Sequence, residues 1–321
     1  MARTRYAPDR GLIARMGATM FLLGLVFTAF IIVIVLLLTR YSNVSNGGII
    51  FIAVLFGAAI SFGSFYWSDK IALSTAGARL VGPQDGAEAA RLHGVIDRIC
   101  ALADMPKPRV AIAPADMPNA FATGRSSKVA VVCATEGLLR RLDNNELEGV
   151  LAHEMSHVAH KDVAVMTVAS FLGIMAALLV RFAFYSELFG GGGRGRGRGG
   201  NDQNALPVVL IVMLVGMVVY AISFLLIRLL SRYRELSADR SGALLTGQPS
   251  ALASALVKVS GEISRIPTRD LRAAEPLNAF YFAPALSATR GQMTLSNIFS
   301  THPSLEKRLA SLEKISQQLS K

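Results

Sequence analysis

Cysteine and charged residues are both scarce in this chain of 321 residues. The only two cysteines, Cys100 and Cys133, lack the number and spacing of a disulfide framework or a metal knuckle, so we expect two reduced, buried thiols. Charged residues make up 17% of the chain and hydrophobic residues 52%, an unusual balance for a soluble protein. The excess apolar surface has to be buried somewhere.

The apolar residues are concentrated in four runs. Residues 17–38, 47–67, 163–180 and 205–227 contain no Asp, Glu, Lys, Arg or His, and each is near the roughly 20 residues that a helix needs to cross a bilayer. Core helices of a large soluble protein are the alternative, chiefly for the last two runs. The first run is longer than a signal-peptide core and a second follows it closely, which predicts a retained anchor.

Basic residues indicate how these runs are oriented. The net charge of +11 would suggest a nucleic-acid partner in a soluble protein, but many of the basic residues flank the apolar runs, so we predict a lipid bilayer and no nucleic acid. Four arginines precede the first run and Arg40 is alone in the following loop, which predicts a cytoplasmic N-terminus. Two crossings then return the chain to the cytoplasm near Asp69.

The last two runs predict a hydrophobic hairpin. Its connection contains the low-complexity segment GGGGRGRGRGG at 190–200, which is too poor in apolar residues to pack and is expected to be disordered. The arginines of this loop would lie outside the cell if the third run crossed, against the usual bias of short loops. Whether the hairpin crosses fully therefore stays open.

Four segments follow from this pattern: a membrane anchor at 1–68, a cytoplasmic catalytic part at 69–162, the hairpin at 163–230 and a second catalytic part at 231–321. The fold class is α+β and mainly helical, with four transmembrane or membrane-embedded helices and a small sheet. Helices are predicted at 86–104, 231–246, 250–262 and 303–319, and strands at 109–113 and 128–134, separated by a turn-prone stretch at 116–127.

The chemistry lies on one further helix. Asp143 and Glu146 have the spacing of a capping box, which starts a helix near Asn144. On it, His153 and His157 are four residues apart, about 400° of helical turn, so both imidazoles face the same way and can reach a single zinc ion. Glu154 is turned away by about 100°, outside the metal shell but close enough to act as the base for activated water.

A catalytic zinc ion generally takes three protein ligands, so another donor is needed. His160 is near in sequence, but a straight helix carries it away and there is no glycine to turn the chain back. Glu235 is the better candidate, with Asp239 four residues on and able to hold a ligand imidazole. Two crossings, or none, would keep Glu235 and His157 on the same membrane face. A solvated acid pair among arginines is the alternative reading.

These features in this order resemble the HtpX-type membrane zinc metalloproteases, relatives of the C-a-a-X prenyl-protein endopeptidases. The resemblance covers nearly the whole chain, although the glycine and arginine insertion at 190–200 is not part of the family pattern. It implies a zincin-like, gluzincin-type catalytic domain with one Zn²⁺ per chain, bound by His153, His157 and Glu235. It also implies a multi-pass protein of the bacterial inner membrane, active on the cytoplasmic side in the stress response.

The resemblance also implies partners and further site residues. The expected substrates are misfolded or damaged membrane proteins and unfolded polypeptides; nothing in the sequence indicates the oligomeric state. Asn119, Ala120, Phe121 and Ala122 match a stretch whose extended edge pairs with substrate backbone, and an ordinary strand and turn is the alternative. His302 matches a histidine that could bind the oxyanion, and a helix cap at Pro303 is its alternative role.

Other classes of protein are less consistent with the sequence. A metal or proton transporter would place ionisable groups within its spans, and the four runs have none. A protease-like scaffold without activity would not need an intact motif. A prenyl-protein endopeptidase is the alternative among proteases, but four short spans are few for the large intramembrane chamber that it needs.

Overall fold

The structure is a computed structural model, and it describes residues 10–41, 65–171, 205–263 and 302–320, with isolated positions at 59, 62, 63, 174 and 178. Most of the run at 47–67, part of the run at 163–180 and the whole segment at 190–200 lie outside the described residues. Contacts divide the chain into two compact units. One comprises residues 15–63 and 166–227, and the other 1–14, 64–165 and 228–321.

Nine helices are described: α1 Arg10–Tyr41, α2 Ser68–Thr75, α3 Ala87–Ala103, α4 Glu136–Arg141, α5 Asn144–Ala159, α6 Asp162–Phe171, α7 Ala205–Thr246, α8 Pro249–Ile263 and α9 Leu305–Leu319. Within the described ranges, two of them hold stretches long and apolar enough to cross a membrane, Ile13–Phe30 and Met213–Thr246. The fold is therefore mainly helical, as predicted. Four membrane-crossing helices were predicted, and the described ranges contain two that are long and apolar enough.

The predicted membrane run at 205–227 and the predicted helix at 231–246 form one helix, α7, of 42 residues. No proline and only one glycine, Gly242, lies between 228 and 246, so nothing in the sequence ends the helix where the polar residues begin. The change from apolar to polar composition thus marks a change of surroundings and not a change of backbone conformation.

A four-stranded sheet forms the centre of the unit that contains residues 64–165 and 228–321. Its strands are β1 Arg79–Leu80, β2 Arg109–Ala113, β3 Ala120–Thr123 and β4 Val131–Thr135, in the order β1, β2, β4, β3. β2 and β4 are parallel, whereas β1 and β3 run antiparallel to their neighbours. β3 is therefore the outer strand of the described sheet on its side.

Two strand predictions need correction. The strand predicted at 128–134 begins at Val131, because Ser127–Val129 form a turn of 3-10 helix. The stretch at 116–127, predicted to be turn-prone, contains strand β3. Gly124 has φ of +129° and an added Cβ would lie 2.8 Å from the Ala130 Cα, so the turn that follows β3 needs glycine.

The hydrophobic core lies on both faces of the sheet. One face carries Val110, Ile112, Val132 and Ala134 and packs into the large cluster with α3, α5, α8 and α9. The opposite face carries Ala111, Ala113, Phe121, Val131 and Cys133, which pack around Ala72 of α2. The alternation follows the two-residue period of a strand. Burial raises the pKa of the Cys100 thiol to about 11 and that of Cys133 to about 12, as expected for unreactive thiols.

Candidate metal centre

Helix α5 is fixed at its N-terminus by the predicted capping box. The Asp143 carboxylate accepts a hydrogen bond from the Glu146 N–H at 2.9 Å, and the Glu146 carboxylate accepts one from the Asp143 N–H at 3.0 Å. Glu146 also accepts hydrogen bonds from Ser254 and Lys258 of α8, at 2.6 and 2.8 Å. These contacts hold the helix that carries the two histidines against its neighbour.

The structure brings His153, His157 and Glu235 together. The two Nε2 atoms are 3.3 Å apart, and each lies 3.5 Å from one oxygen of the Glu235 carboxylate. His153 is 1% exposed, and the side chains of His157 and Glu235 are 11% and 8% exposed. Among the described residues these three side chains form a cluster suited to a metal ion, and His160 is not part of it.

The spacing of the three donor atoms fits a small tetrahedral cation. Bonds of about 2.0 to 2.2 Å to nitrogen and oxygen place two ligand atoms of a tetrahedral zinc ion roughly 3.3 to 3.5 Å apart. The structure has these atoms at 3.3 and 3.5 Å. Two imidazole nitrogens and a carboxylate are also a donor set that zinc accepts in catalytic sites.

A carboxylate next to the Nδ1 atom of each imidazole also supports a metal site at this cluster. The His153 Nδ1 lies 2.9 Å from the Asp239 carboxylate, as predicted for Asp239, and the His157 Nδ1 lies 2.6 Å from that of Asp162. An ionised carboxylate can only accept, so each neutral ring carries its proton on Nδ1 and turns the lone pair of Nε2 inwards. Two lone pairs facing each other repel unless a cation lies between them.

The surroundings of His153 favour positive charge. Burial alone would lower the pKa of this imidazole, but hydrogen bonds to the carboxylates of Asp239 and Glu235 raise it to about 9. The pocket is therefore built to hold a proton or a metal ion at this place.

Two arginines complete the arrangement, and sequence reasoning missed both. Arg308, which is 1% exposed, donates from Nε and Nη2 to the two oxygens of Asp239, at 2.8 and 2.6 Å. The Arg234 Nε lies 2.9 Å from the Asp162 carboxylate. Each predicted ligand histidine thus has a carboxylate behind it, and each carboxylate has its own arginine.

Asp162 was also missed, because the chain was expected to need a glycine to turn back. Lys161 makes the turn instead, with φ of +57°, a left-handed conformation that is uncommon for a side chain of this kind. The turn brings Asp162, and not His160, behind the His157 ring. An acidic residue within a few positions of the second histidine was the signal available in the sequence.

Replacement of Asp162 by Asn is expected to weaken metal binding by roughly 10- to 100-fold, the usual cost of losing a carboxylate behind a ligand histidine. The affinity is measured by competition with a chromogenic chelator. Asp69→Asn is the matched control, because Asp69 also pairs with an arginine, Arg109, at 2.5 Å and contacts no histidine within the described part of the chain. Equal affinities of Asp162→Asn and the parent chain would contradict this role.

Glu154 lies between the metal centre and the outer strand of the sheet. Its carboxylate accepts a hydrogen bond from the Ala122 N–H at 3.2 Å. The side chain is buried, and burial raises the pKa of this carboxyl above its ordinary value. A raised pKa makes a carboxylate a better general base near neutral pH.

The four residues predicted to contact substrate divide into two pairs. The Asn119 C=O accepts a hydrogen bond from the Thr135 N–H at 2.9 Å, so Asn119, and by alternation Phe121, turn their backbone groups towards β4. Phe121 also directs its side chain into the core around Ala72. The backbone groups of Ala120 and Ala122 therefore point to the open side of the strand, towards Glu154.

The structure places His302 beside the third predicted ligand. Its Nδ1 is 3.2 Å from the Glu235 carboxylate, and the residue is 8% exposed. The helix that follows begins at Leu305 and is capped by the Ser304 hydroxyl, which accepts from the Lys307 N–H. His302 is therefore not the cap of this helix, and its ring faces the metal centre.

A glycine allows the two ligand-bearing helices to approach each other. A Cβ at Gly242 would lie 2.9 Å from the backbone nitrogen of His153, so α7 can contact α5 this closely only because Gly242 has no side chain. Glu235 and Asp239 lie on the same helix and reach His153 as a result.

An HExxH helix, a glutamate from a second helix and an adjacent outer strand define a gluzincin-type metallopeptidase. Comparison with known proteins agrees. The family model for peptidase family M48 matches residues 86–316. The chain belongs to peptidase family M48.

The curated relatives are HtpX proteases. Protease HtpX homolog 1 of Streptomyces coelicolor is 56% identical over 99% of this chain and 97% of its own length. Protease HtpX homolog 2 of Methanosarcina mazei is 48% identical over 99% of this chain and 100% of its own length. The resemblance drawn from the sequence is confirmed, and the chain is a membrane metalloprotease.

A solved structure shows a related fold. The crystal structure of Ste24p from S. mikatae superposes with a TM-score of 0.52 at 17% sequence identity, over 95% of this chain and 66% of that one. At this identity the likeness concerns the fold alone.

Proposed function

We propose that this membrane metalloprotease is a zinc-dependent endopeptidase, with one Zn²⁺ per chain, that cleaves misfolded or damaged membrane proteins at the cytoplasmic face of a bacterial inner membrane. The observation that carries the choice of metal is the triangle of donor atoms of His153, His157 and Glu235, with separations of 3.3 to 3.5 Å. It matches tetrahedral zinc, and it is the only such cluster found within the described residues.

In the proposed mechanism His153, His157 and Glu235 hold the ion, which when bound acidifies water and polarises the substrate carbonyl. Glu154 takes the proton from the attacking water and later gives it to the leaving amine. Asp239 and Asp162 keep the two imidazoles in the tautomer whose Nε2 faces inwards. His302, whose Nδ1 lies 3.2 Å from the Glu235 carboxylate, would donate a hydrogen bond to the oxyanion from Nε2 when both of its ring nitrogens carry protons, because Nδ1 faces that carboxylate.

The backbone of β3 is proposed to position the substrate. The outward N–H and C=O groups of Ala120 can pair with an extended peptide, as a strand added to the sheet edge. Ala122, whose N–H already contacts Glu154 at 3.2 Å, fixes where along that strand the reacting bond lies. Recognition through backbone groups imposes little sequence preference, which suits a protease for damaged proteins of many kinds.

The proposed topology keeps the four membrane helices of the sequence analysis and a cytoplasmic active site. The arginines before the first run support a cytoplasmic N-terminus. Helix α7 brings the Glu235 carboxylate to 3.5 Å from the His153 Nε2, which supports the proposal that all three ligands lie on the same side of the membrane.

Removal of the metal tests the cofactor. Treatment of the purified full chain with a chelator is expected to abolish casein cleavage, and one equivalent of Zn²⁺ to restore it, because the remaining groups cannot activate water alone. Metal analysis should give one zinc per chain. Cleavage that persists after the metal has been removed would rule out the proposed cofactor.

The side of the membrane is tested with sealed vesicles. A soluble unfolded substrate added outside inverted vesicles is expected to be cleaved, and the same substrate outside right-side-out vesicles to be spared. Detergent should make both preparations equally active, which controls for the amount of enzyme. The reverse pattern would place the active site outside the cell.

A further inference from the structure

Tyr66, Trp67 and Arg125 form a contact at the end of strand β3. The Arg125 guanidinium lies 4.2 Å from the centre of the Tyr66 ring, and its Nη1 donates to the Tyr66 carbonyl at 3.2 Å. The Trp67 ring packs edge-on against Tyr66, with ring centres 5.9 Å apart. Arg125 belongs to the turn between β3 and β4, whereas both aromatic residues directly precede α2.

Helix α2 fastens this contact to the sheet. Ala72 of α2 is fully buried in the cluster that contains Phe121 of β3. At the start of the same helix, Asp69 pairs with Arg109 of β2 at 2.5 Å. The position of Tyr66 and Trp67 relative to β3 is therefore fixed by packing and by charge, and not by the turn alone.

The exposed aromatic and basic side chains around the contact of Tyr66, Trp67 and Arg125 are typical of residues at a lipid–water interface. Tyr66 is 43% exposed, Trp67 51% and Ile71 49%. The turn adds two cations, Arg125 and the exposed Lys128. Tyrosine and tryptophan are enriched at membrane interfaces, where nearby cations meet lipid phosphates. The apolar run at 47–67 ends at Trp67, so the chain leaves the proposed membrane at this point.

We propose that Tyr66, Trp67, Arg125 and Lys128 contact the headgroup region of the bilayer, so that the substrate-binding edge of β3 begins at the membrane surface. This proposal adds a substrate class to the proposed function, and it rests on that function for the role of β3. It names the substrate class as juxtamembrane segments, the few residues that follow a membrane-spanning helix.

The length of the backbone sets the reach of the site. Ala122, which contacts Glu154, is three residues from Arg125, and three residues span at most about 10 Å. A substrate paired with β3 is therefore cut within roughly 10 Å of the headgroups. For an extended peptide this corresponds to about three residues beyond the membrane surface.

The depth of Trp67 in the bilayer can be measured without any substrate, since it is the single tryptophan of the chain. The Glu154→Gln chain is reconstituted in phosphatidylcholine vesicles that contain lipids brominated near the headgroup or near the bilayer centre. We expect Trp67 fluorescence to be quenched most by the shallow bromines and little by acrylamide. Strongest quenching by the deep bromines, or by acrylamide alone, overturns the proposal.

The consequence for cleavage is tested with a ladder of substrates. A cleavable sequence follows a membrane-spanning helix after linkers of 0 to about 20 residues, and the same sequence is also supplied without the helix. The parent chain is expected to cleave the short-linker substrates fastest. Arg125→Ala should lower that preference several-fold while sparing the unanchored peptide, because β3 and Glu154 are unchanged.

Matched variants distinguish loss of the contact between Tyr66 and Arg125 from a general loss of positive charge or of folding. Tyr66→Phe keeps the ring that faces Arg125 and should retain the preference, whereas Tyr66→Ala should lose it. Arg140→Gln removes a cation that pairs with Asp116 at 2.6 Å, on the helix that follows the opposite end of β4, and should have no effect. A linker dependence that is flat in the parent chain overturns the proposal, while loss of all cleavage in Glu154→Gln still supports the protease mechanism.

Discussion

Glu154→Gln is expected to lower kcat by roughly 10²- to 10⁴-fold, the usual contribution of a positioned general base. The amide cannot take a proton from water, although it occupies nearly the same volume in this buried place. Metal affinity should change little, because Glu154 is not one of the three clustered ligands. The rate is measured with a peptide substrate under saturating conditions, and the metal by chelator competition.

Glu148→Gln is the control for that experiment. Glu148 is a buried carboxylate on the same helix, paired with Arg98 at 3.1 Å on a different side from the metal centre. It should retain most of the parent rate. Full activity in Glu154→Gln would exclude Glu154 as the base, whereas equal losses in both variants would indicate a general effect on α5.

Glu235→Gln is expected to reduce metal affinity by more than about 100-fold, which exceeds the effect of losing a carboxylate behind a histidine. The amide is neutral, so the two inward-facing imidazole nitrogens lose the negative charge that balances a divalent ion. Activity should fall in parallel and recover in part at high zinc concentration. Affinity that is unchanged in Glu235→Gln would mean that the third ligand lies elsewhere.

A comparison with Asp239→Asn distinguishes a direct ligand from a supporting carboxylate. Asp239 lies on the same helix as Glu235 and contacts His153 at 2.9 Å. Its replacement should cost less metal affinity than that of Glu235, and the loss should resemble that of Asp162→Asn. The reverse order would exchange the roles assigned to the two acids.

The helix that carries the catalytic motif was predictable because its signals are local. The capping box of Asp143 and Glu146 fixed its start, and the spacing of His153 and His157 required a common face. The spacing of Glu235 and Asp239 also favoured them, since two carboxylates four residues apart on a helix point in the same direction, and the family resemblance decided against a solvated acid pair. The structure confirms that these groups meet.

The arginines and Asp162 were not predictable in the same way. Arg308 reaches Asp239 across 69 positions of sequence, and no local pattern distinguishes it from the other arginines. Asp162 depends on the left-handed backbone of Lys161, which sequence rules assign mainly to glycine and asparagine. The uninterrupted helix α7 was missed because a change in hydrophobicity was interpreted as an element boundary.

The site is assembled from three separate parts of the chain, on α5, α7 and the segment around His302 and Arg308. During synthesis the histidines emerge first, and Asp239 cannot form its ion pair with Arg308 until residue 308 has been translated. A nascent chain that already displays the HExxH helix is thus not yet a working protease.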